Sequence, residues 1–324
     1  MPCRTVQRAL AIGLAGALVG PPAAALAHGA VVDAPTTAAL WSGWADEPLV
    51  WVGLLFAAGA YLALVRAVDR AHPANRVPRH RVASWLLGLG TIALALEGPI
   101  DAYATTLFSI HMVQHLLLAL VAAPLLALGA PITLLLRAAS PATRRKALLP
   151  VLHSRVVRLL SLPLLAWLLF AAVMWLSHFS ALFDLALEDP LVHIGEHALF
   201  LGAGLLFWWP VVGADPSPWR LGHGARLAYL GLSMPQNTFL ALAIMSAPAP
   251  LYRHYASTER AWGPGPLADQ QLAGGLMWVV GDLIFIAALV LAVAVWMRAE
   301  EEKGLRDDDR RDRERARRDG RATT

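Results

Sequence analysis

Histidines recur four residues apart at two places in the chain, His111/His115 and His193/His197, and each pair heads a long apolar run. A helix brings i and i+4 side chains to within about 6 Å of each other on one face. Each pair can therefore offer two imidazole nitrogens to one small ligand. Met112 stands beside the first pair, Glu196 inside the second, and His178 closes another apolar stretch with Met174 one helical turn before it. Imidazole with thioether suits Cu(I), whereas the carboxylates and thiolates preferred by hard cations or structural zinc are scarce in this company. His111, His115, His178, His193, His197 and Met112 are the candidate metal ligands, with Cu(I) the expected ion. Gln114, Glu196 and Asn237 are candidates to orient imidazoles from a second layer. For Met174, Met245 and Met277 the plain alternative is apolar packing.

These residues need a scaffold, and the composition says which kind. Of 324 residues 57% are hydrophobic and 15% charged, with a mean hydropathy of +0.53, too apolar for a soluble domain. The expected fold is all-α, a polytopic membrane helical bundle of seven transmembrane helices following a signal peptide. Residues 1–27 have the charge, apolar stretch and Ala25-Leu26-Ala27 end of a cleavable signal, and 28–48 form an extracytoplasmic segment. Residues 49–297 contain the apolar runs Leu49–Val65, Val82–Leu96, Leu107–Leu128, Leu159–Ser177, Leu191–Val212, Leu227–Ala247 and Gln270–Met297. Residues 298–324 mix ten basic with nine acidic side chains, a tail that is a solvated helix or disordered.

The connections 66–81 and 137–158 hold five and six basic residues, while 98–106 and 178–190 hold none. Basic loops stay inside, so the expectation is a multi-pass protein with its mature N-terminus outside and its tail in the cytoplasm. The net charge of +4 is thereby spent on topology and forms no nucleic-acid patch. The lone Cys3 excludes a disulfide framework and a cysteine metal site. His72, His80, His153 and His223 fall in basic connections as solvated residues. His111, His115, His178, His193 and His197 share one depth near the outer surface, with His28 and His254 on the same side in non-helical stretches. Asp269 and Gln270 can cap the last span or serve function. Asp282, near mid-membrane, needs a partner such as Ser233 or Asn237.

Phe108 through Leu118, Pro124 through Pro131, Glu196-His197-Ala198-Leu199-Phe200 leading to Trp208-Trp209-Pro210, Pro235-Gln236-Asn237, and Asp269-Gln270-Gln271 leading to Trp278 carry a family resemblance. From Leu49 to Met297 the chain resembles the CtaG-like multi-pass cytochrome c oxidase assembly proteins. It does not resemble the single-span, cysteine-liganded copper chaperone that shares that name. The resemblance implies a non-enzymatic protein that helps to make a haem–copper oxidase, with oxidase subunits and the lipid bilayer as partners and a role at the copper centre. His111, His115, His193 and His197 match motif positions of the family, whereas His178 and the methionines come from topology. Three other functions remain open from the residues alone. They are a membrane cytochrome with histidine axial ligands, an intramembrane hydrolase with the H-x-x-E-H pattern at 193–197 and Glu196 as base, and a metal-free scaffold or copper permease.

Overall fold

The computed structural model of the chain describes Ala34, Thr36, Trp44 and residues 47–322. The expected signal peptide, Cys3 and His28 lie outside the described residues. Every regular element among the described residues is helical. The main helices are α1 (Pro48–Ala71), α2 (Arg79–Ala104), α3 (Phe108–Ala138), α4 (Pro163–His178), α5 (Leu182–Glu188), α6 (Pro190–Val212), α7 (His223–Met245) and α8 (Pro266–Ala322).

Six of them, α1, α2, α3, α6, α7 and α8, are long and apolar enough to cross a membrane. The fourth expected span differs from its expectation. A separate helix, Arg155–Leu160, ends at Ser161, and Leu162 before Pro163 is extended, because the proline ring disfavours helical backbone in the residue it follows. The 16 residues of α4 reach only about 24 Å, short of a hydrocarbon core of about 30 Å. At His178 the chain bends by 66° into α5; α4 and α5 together are long and apolar enough for a broken span or a re-entrant loop, which brings the count among the described residues to seven if the pair is one span. The charged tail continues α8 as one helix, with exposed ion pairs three and four residues apart such as Arg306–Glu302.

Helix α3 is the hub. It packs on α2, α6 and α8, and its Pro131–Ala138 end meets α1. Its hydrogen bonding widens to a π-helix over Leu117–Ala122, two residues on from His115. Wide turns of this kind release a carbonyl and occur often at functional sites. Here the Ala119 carbonyl accepts from Trp208 Nε1 at 3.0 Å. Between lipid-immersed helices, close backbone approach replaces the hydrophobic drive, and glycines supply it. A Cβ at Gly204 would meet Ala119 O at 2.7 Å, and one at Gly274 would meet Ala241 O at 2.9 Å.

Polar fastenings tie the helices at two levels of the bundle. At the histidine end Asp269 takes the Phe108 N–H at 2.8 Å and the Ser109 N–H at 3.3 Å. It therefore caps α3, a helix remote in sequence, instead of its own α8. Gln270 accepts from Leu251 N and donates to Ile244 O and Ala249 O, holding the 246–252 loop. At mid-membrane Asp282 accepts from Asn237 Nδ2 at 3.0 Å and Thr238 Oγ1 at 2.8 Å. Asn237 is thus the partner that the sequence suggested for Asp282.

Candidate metal centre

Local sequence starts both ligand-bearing helices where the histidines need them. Asp189 accepts from the N–H groups of Leu191 and Val192, and Pro190 occupies the first turn, a favourable N-terminus because proline lacks the amide that would go unpaired there. His193, Glu196 and His197 then fall in the first two turns of α6. Residues 196, 200, 203, 204, 207, 208 and 211 are all buried, the spacing of one helical face. On α3 the Asp269 cap sets Phe108 at the first turn, and His111 and His115 follow at four-residue spacing on the buried side.

The result is a cluster of five imidazoles around one carboxylate. His111 Nε2 and His115 Nε2 are 3.0 Å apart. Glu196 Oε2 lies 3.7 Å from the first and 3.8 Å from the second, with all three side chains at most 2% exposed. One ligand atom each from His111, His193 and Glu196 also lies within 4.8 Å of the other two. The His193 and His197 rings are 4.2 Å apart, and His197 is 6.5 Å from His111 and 6.3 Å from His115 between ring centroids. His178, at the bend between α4 and α5, stands 6.0 Å from His115.

Tautomers follow from partners that can only accept. Tyr255 Oη donates to Ala104 O at 2.6 Å and lies 3.0 Å from His111 Nδ1. Its single proton is committed to the carbonyl, so His111 Nδ1–H donates to the phenol oxygen and His111 Nε2 faces the cluster with a bare lone pair. His178 Nδ1 is 2.6 Å from Met174 O, which likewise leaves His178 Nε2 bare. Burial, with the Asp269 and Glu196 carboxylates nearby, pushes the Tyr255 phenol well above its ordinary value of 10.0, and burial raises Tyr252 too. Tyr255 is thus a fixed proton donor to Ala104.

Several buried polar atoms at this place have no hydrogen-bond partner among the described residues: His178 Nε2, His197 Nε2 and both oxygens of Glu196. A buried carboxylate without hydrogen bonds is costly unless a cation compensates it. The three distances of 3.0, 3.7 and 3.8 Å put a point equidistant from the three atoms about 2.0 Å from each, the length of a metal–imidazole or metal–carboxylate bond. The donor set therefore fits a metal ion.

Aromatic rings wall the cluster. Phe200 stacks on His115 at 3.8 Å, and Phe183 from α5 stands 4.9 Å from His111 and 5.6 Å from His178. Tyr252 stacks on Phe183 and donates to His178 O at 2.9 Å. Met112 is 1% exposed within the apolar core.

Two expected orienting residues work elsewhere. Gln114 Nε2 donates to Ala95 O and Asp101 Oδ1, tying α3 to α2. Asn237 donates to Met277 O and Asp282; it lies eight residues, about 12 Å, below the histidine end of α7. Glu196 is no outer-layer residue, since its carboxylate occupies the centre. His254 belongs to a short helix, Arg253–Ser257, and not to irregular chain, and its Nε2 donates to Thr105 O. Tyr252, Tyr255 and Phe183 are site residues that the sequence reading did not single out, and Phe200 entered it only as the end of the motif from Glu196. The three-residue spacing of Tyr252 and Tyr255 in an otherwise polar loop was their only signal.

Fold and site together define a multi-pass membrane protein with a buried imidazole–carboxylate cluster at one end of its bundle. The chain belongs to the cytochrome c oxidase caa3 assembly factor family, Caa3_CtaG, which residues 59–299 match. It is 32% identical over 281 residues to an uncharacterized protein of Mycobacterium bovis and equally to one of Mycobacterium tuberculosis, and 30% identical to one of Mycobacterium leprae. Each alignment covers 85% of this chain but 42% of the relative, so the chain spans under half the length of these curated relatives. No solved structure matches the chain.

Proposed function

We propose that the protein serves oxidase assembly by holding a copper ion as cargo in the cluster of His111, His115, His178, His193, Glu196 and His197, and passing it to a subunit of a haem–copper oxidase. The observation that carries this reading is Glu196, a buried carboxylate without a hydrogen bond, 3.7 and 3.8 Å from two imidazole nitrogens. Family membership supports the assembly half of the reading. The donors are harder than the His/Met set expected from sequence, because Glu196 joins the imidazoles while Met112 packs in the core. For nitrogen and oxygen sites copper heads the order of divalent affinities, and imidazole suits it. Copper is therefore favoured over zinc with this donor set as well. The role is binding and transfer, for which exchange of ligands suffices and no acid–base step is needed.

The arginine-rich connections at the opposite end support a reading in which the cluster lies at the outer face of a bacterial plasma membrane and the tail in the cytoplasm. The reading is tested in copper-limited cells carrying His115→Ala with His197→Ala. Oxidase polypeptides should accumulate without oxidase activity, and added copper should restore part of it. Full activity of the double variant at limiting copper contradicts the copper role and leaves a metal-free scaffold.

A further inference from the structure

At the arginine end, away from the histidine cluster, a polar cavity of about 550 Å³ is lined by Arg137, Arg144 and Arg220, with His72, Asn75 and Asp215. Among the described residues none of these three arginines forms an ion pair. Arg137 donates to the Asn75 carbonyl, which uses one of its five N–H groups. Asp215 is already engaged, accepting from Ile132 N at 3.1 Å and Thr133 N at 2.6 Å as the cap of the Pro131–Ala138 helix. Three guanidiniums thus share a cavity with one committed carboxylate, a balance that favours a phosphate.

A second, apolar groove of about 680 Å³ begins where the first cavity ends, since Ala214 and Asp215 line both. It follows α6 from Val212 back to Ala198, about 21 Å of helix. One leaflet of a membrane with a core of about 30 Å has tails reaching about 15 Å, so the groove is long enough for an acyl chain. Trp85 and Trp209 both line it near its polar mouth, and both indole N–H groups are buried without an acceptor among the described residues.

We propose that this composite site binds an anionic glycerophospholipid, its phosphate on Arg137, Arg144 and Arg220 and one tail in the groove along α6. Charge complementarity and the shared Ala214–Asp215 boundary select this occupant over a free anion, which would use the cavity alone. Basic pockets beside membrane helices are suited to anionic headgroups.

The test uses the full chain purified in neutral detergent and offered phosphatidylglycerol, phosphatidylcholine of the same tails, or inorganic phosphate, with retained lipid read by native mass spectrometry. The protein should retain phosphatidylglycerol about tenfold or more over phosphatidylcholine. The combined Arg137→Gln, Arg144→Gln, Arg220→Gln variant should lose that preference. Gly202→Leu should lower retention of phosphatidylglycerol with every arginine in place, because Gly202 lines the groove and an added Cβ there meets nothing within 4 Å. A cooperative thermal transition in both variants certifies that they are folded. Equal retention of the two lipids by the unaltered protein overturns the proposal, as does an unchanged preference in the arginine variant. Displacement of the lipid by millimolar phosphate, with Gly202→Leu without effect, assigns the cavity to a free anion and overturns the lipid.

Discussion

Tyr255 Oη lies 3.0 Å from His111 Nδ1 while donating its own proton to Ala104 O at 2.6 Å. A loop tyrosine 144 residues away in sequence thereby decides which nitrogen of His111 can serve as a ligand. Tyr255→Phe removes the acceptor and leaves the Nδ1–H free to move to Nε2. Copper affinity measured by competition titration should fall about 10- to 100-fold, the usual effect of losing an orienting partner of a ligating histidine. An unchanged affinity contradicts the tautomer assignment.

The same loop predicts an alkaline limit. Burial raises the Tyr252 and Tyr255 phenols above their ordinary value of 10.0, so the folded state holds these protons more tightly than the unfolded chain. Their contribution to stability is complete below about pH 10 and is lost as pH rises from there toward the folded values. Thermal stability in detergent should decline above that pH. The decline should be shallower in Tyr255→Phe; identical slopes would contradict it.

Asp269 caps α3 and lies 3.6 Å from Arg260, with both side chains at most 6% exposed. Removing one partner of a buried pair costs about 3–5 kcal/mol, because the other charge stays behind. Asp269→Ala should therefore destabilise far more than the loss of a cap, which costs about 1 kcal/mol. Adding Arg260→Ala should recover part of the loss. Chemical denaturation of the two single variants and the double variant reads the coupling directly, and strict additivity would refute it.

Gly204 and Gly202 make a matched pair on α6. A Cβ at Gly204 meets backbone at 2.7 Å and one at Gly202 meets nothing within 4 Å. Gly204→Val should force α6 away from α3, cost about 1–3 kcal/mol and weaken copper binding with it. Gly202→Ala should shift stability by no more than about 0.5 kcal/mol. Equal effects at the two positions would show that close approach at Ala119 does not hold the cluster together.

Much of the bundle was legible because apolar runs of spanning length report directly on helices fit for a bilayer. The two histidine pairs were legible because i,i+4 spacing is a local property of a helix. What lay beyond reach depends on contacts distant in sequence. Asp269 reads as a cap for its own helix or a functional group until α3 is seen against α8, and Glu196 reads as an accessory until His111 and His115 are both seen facing one of its carboxylate oxygens. The fourth run ends at Ser177 in the sequence and 178–190 reads as a connection, so α5 and its 66° bend from α4 were hidden: seven residues carrying Asp184 and Glu188 are too short and too charged to read as part of a span. Tyr255 gave almost no signal, since a loop residue acquires its role only when the Arg253–Ser257 helix folds over the mouth of α3.

Metal content of the purified protein tests the central claim most directly. After loading with equal copper and zinc and removal of free ions, copper should be retained in preference to zinc. Glu196→Gln, close in shape but uncharged, and His115→Ala should each weaken retention at least about tenfold. His153→Ala and His223→Ala, at the opposite end of the bundle, should leave it unchanged. Copper retention by the unaltered protein no greater than that of a variant lacking His111, His115, His193 and His197 would contradict the account.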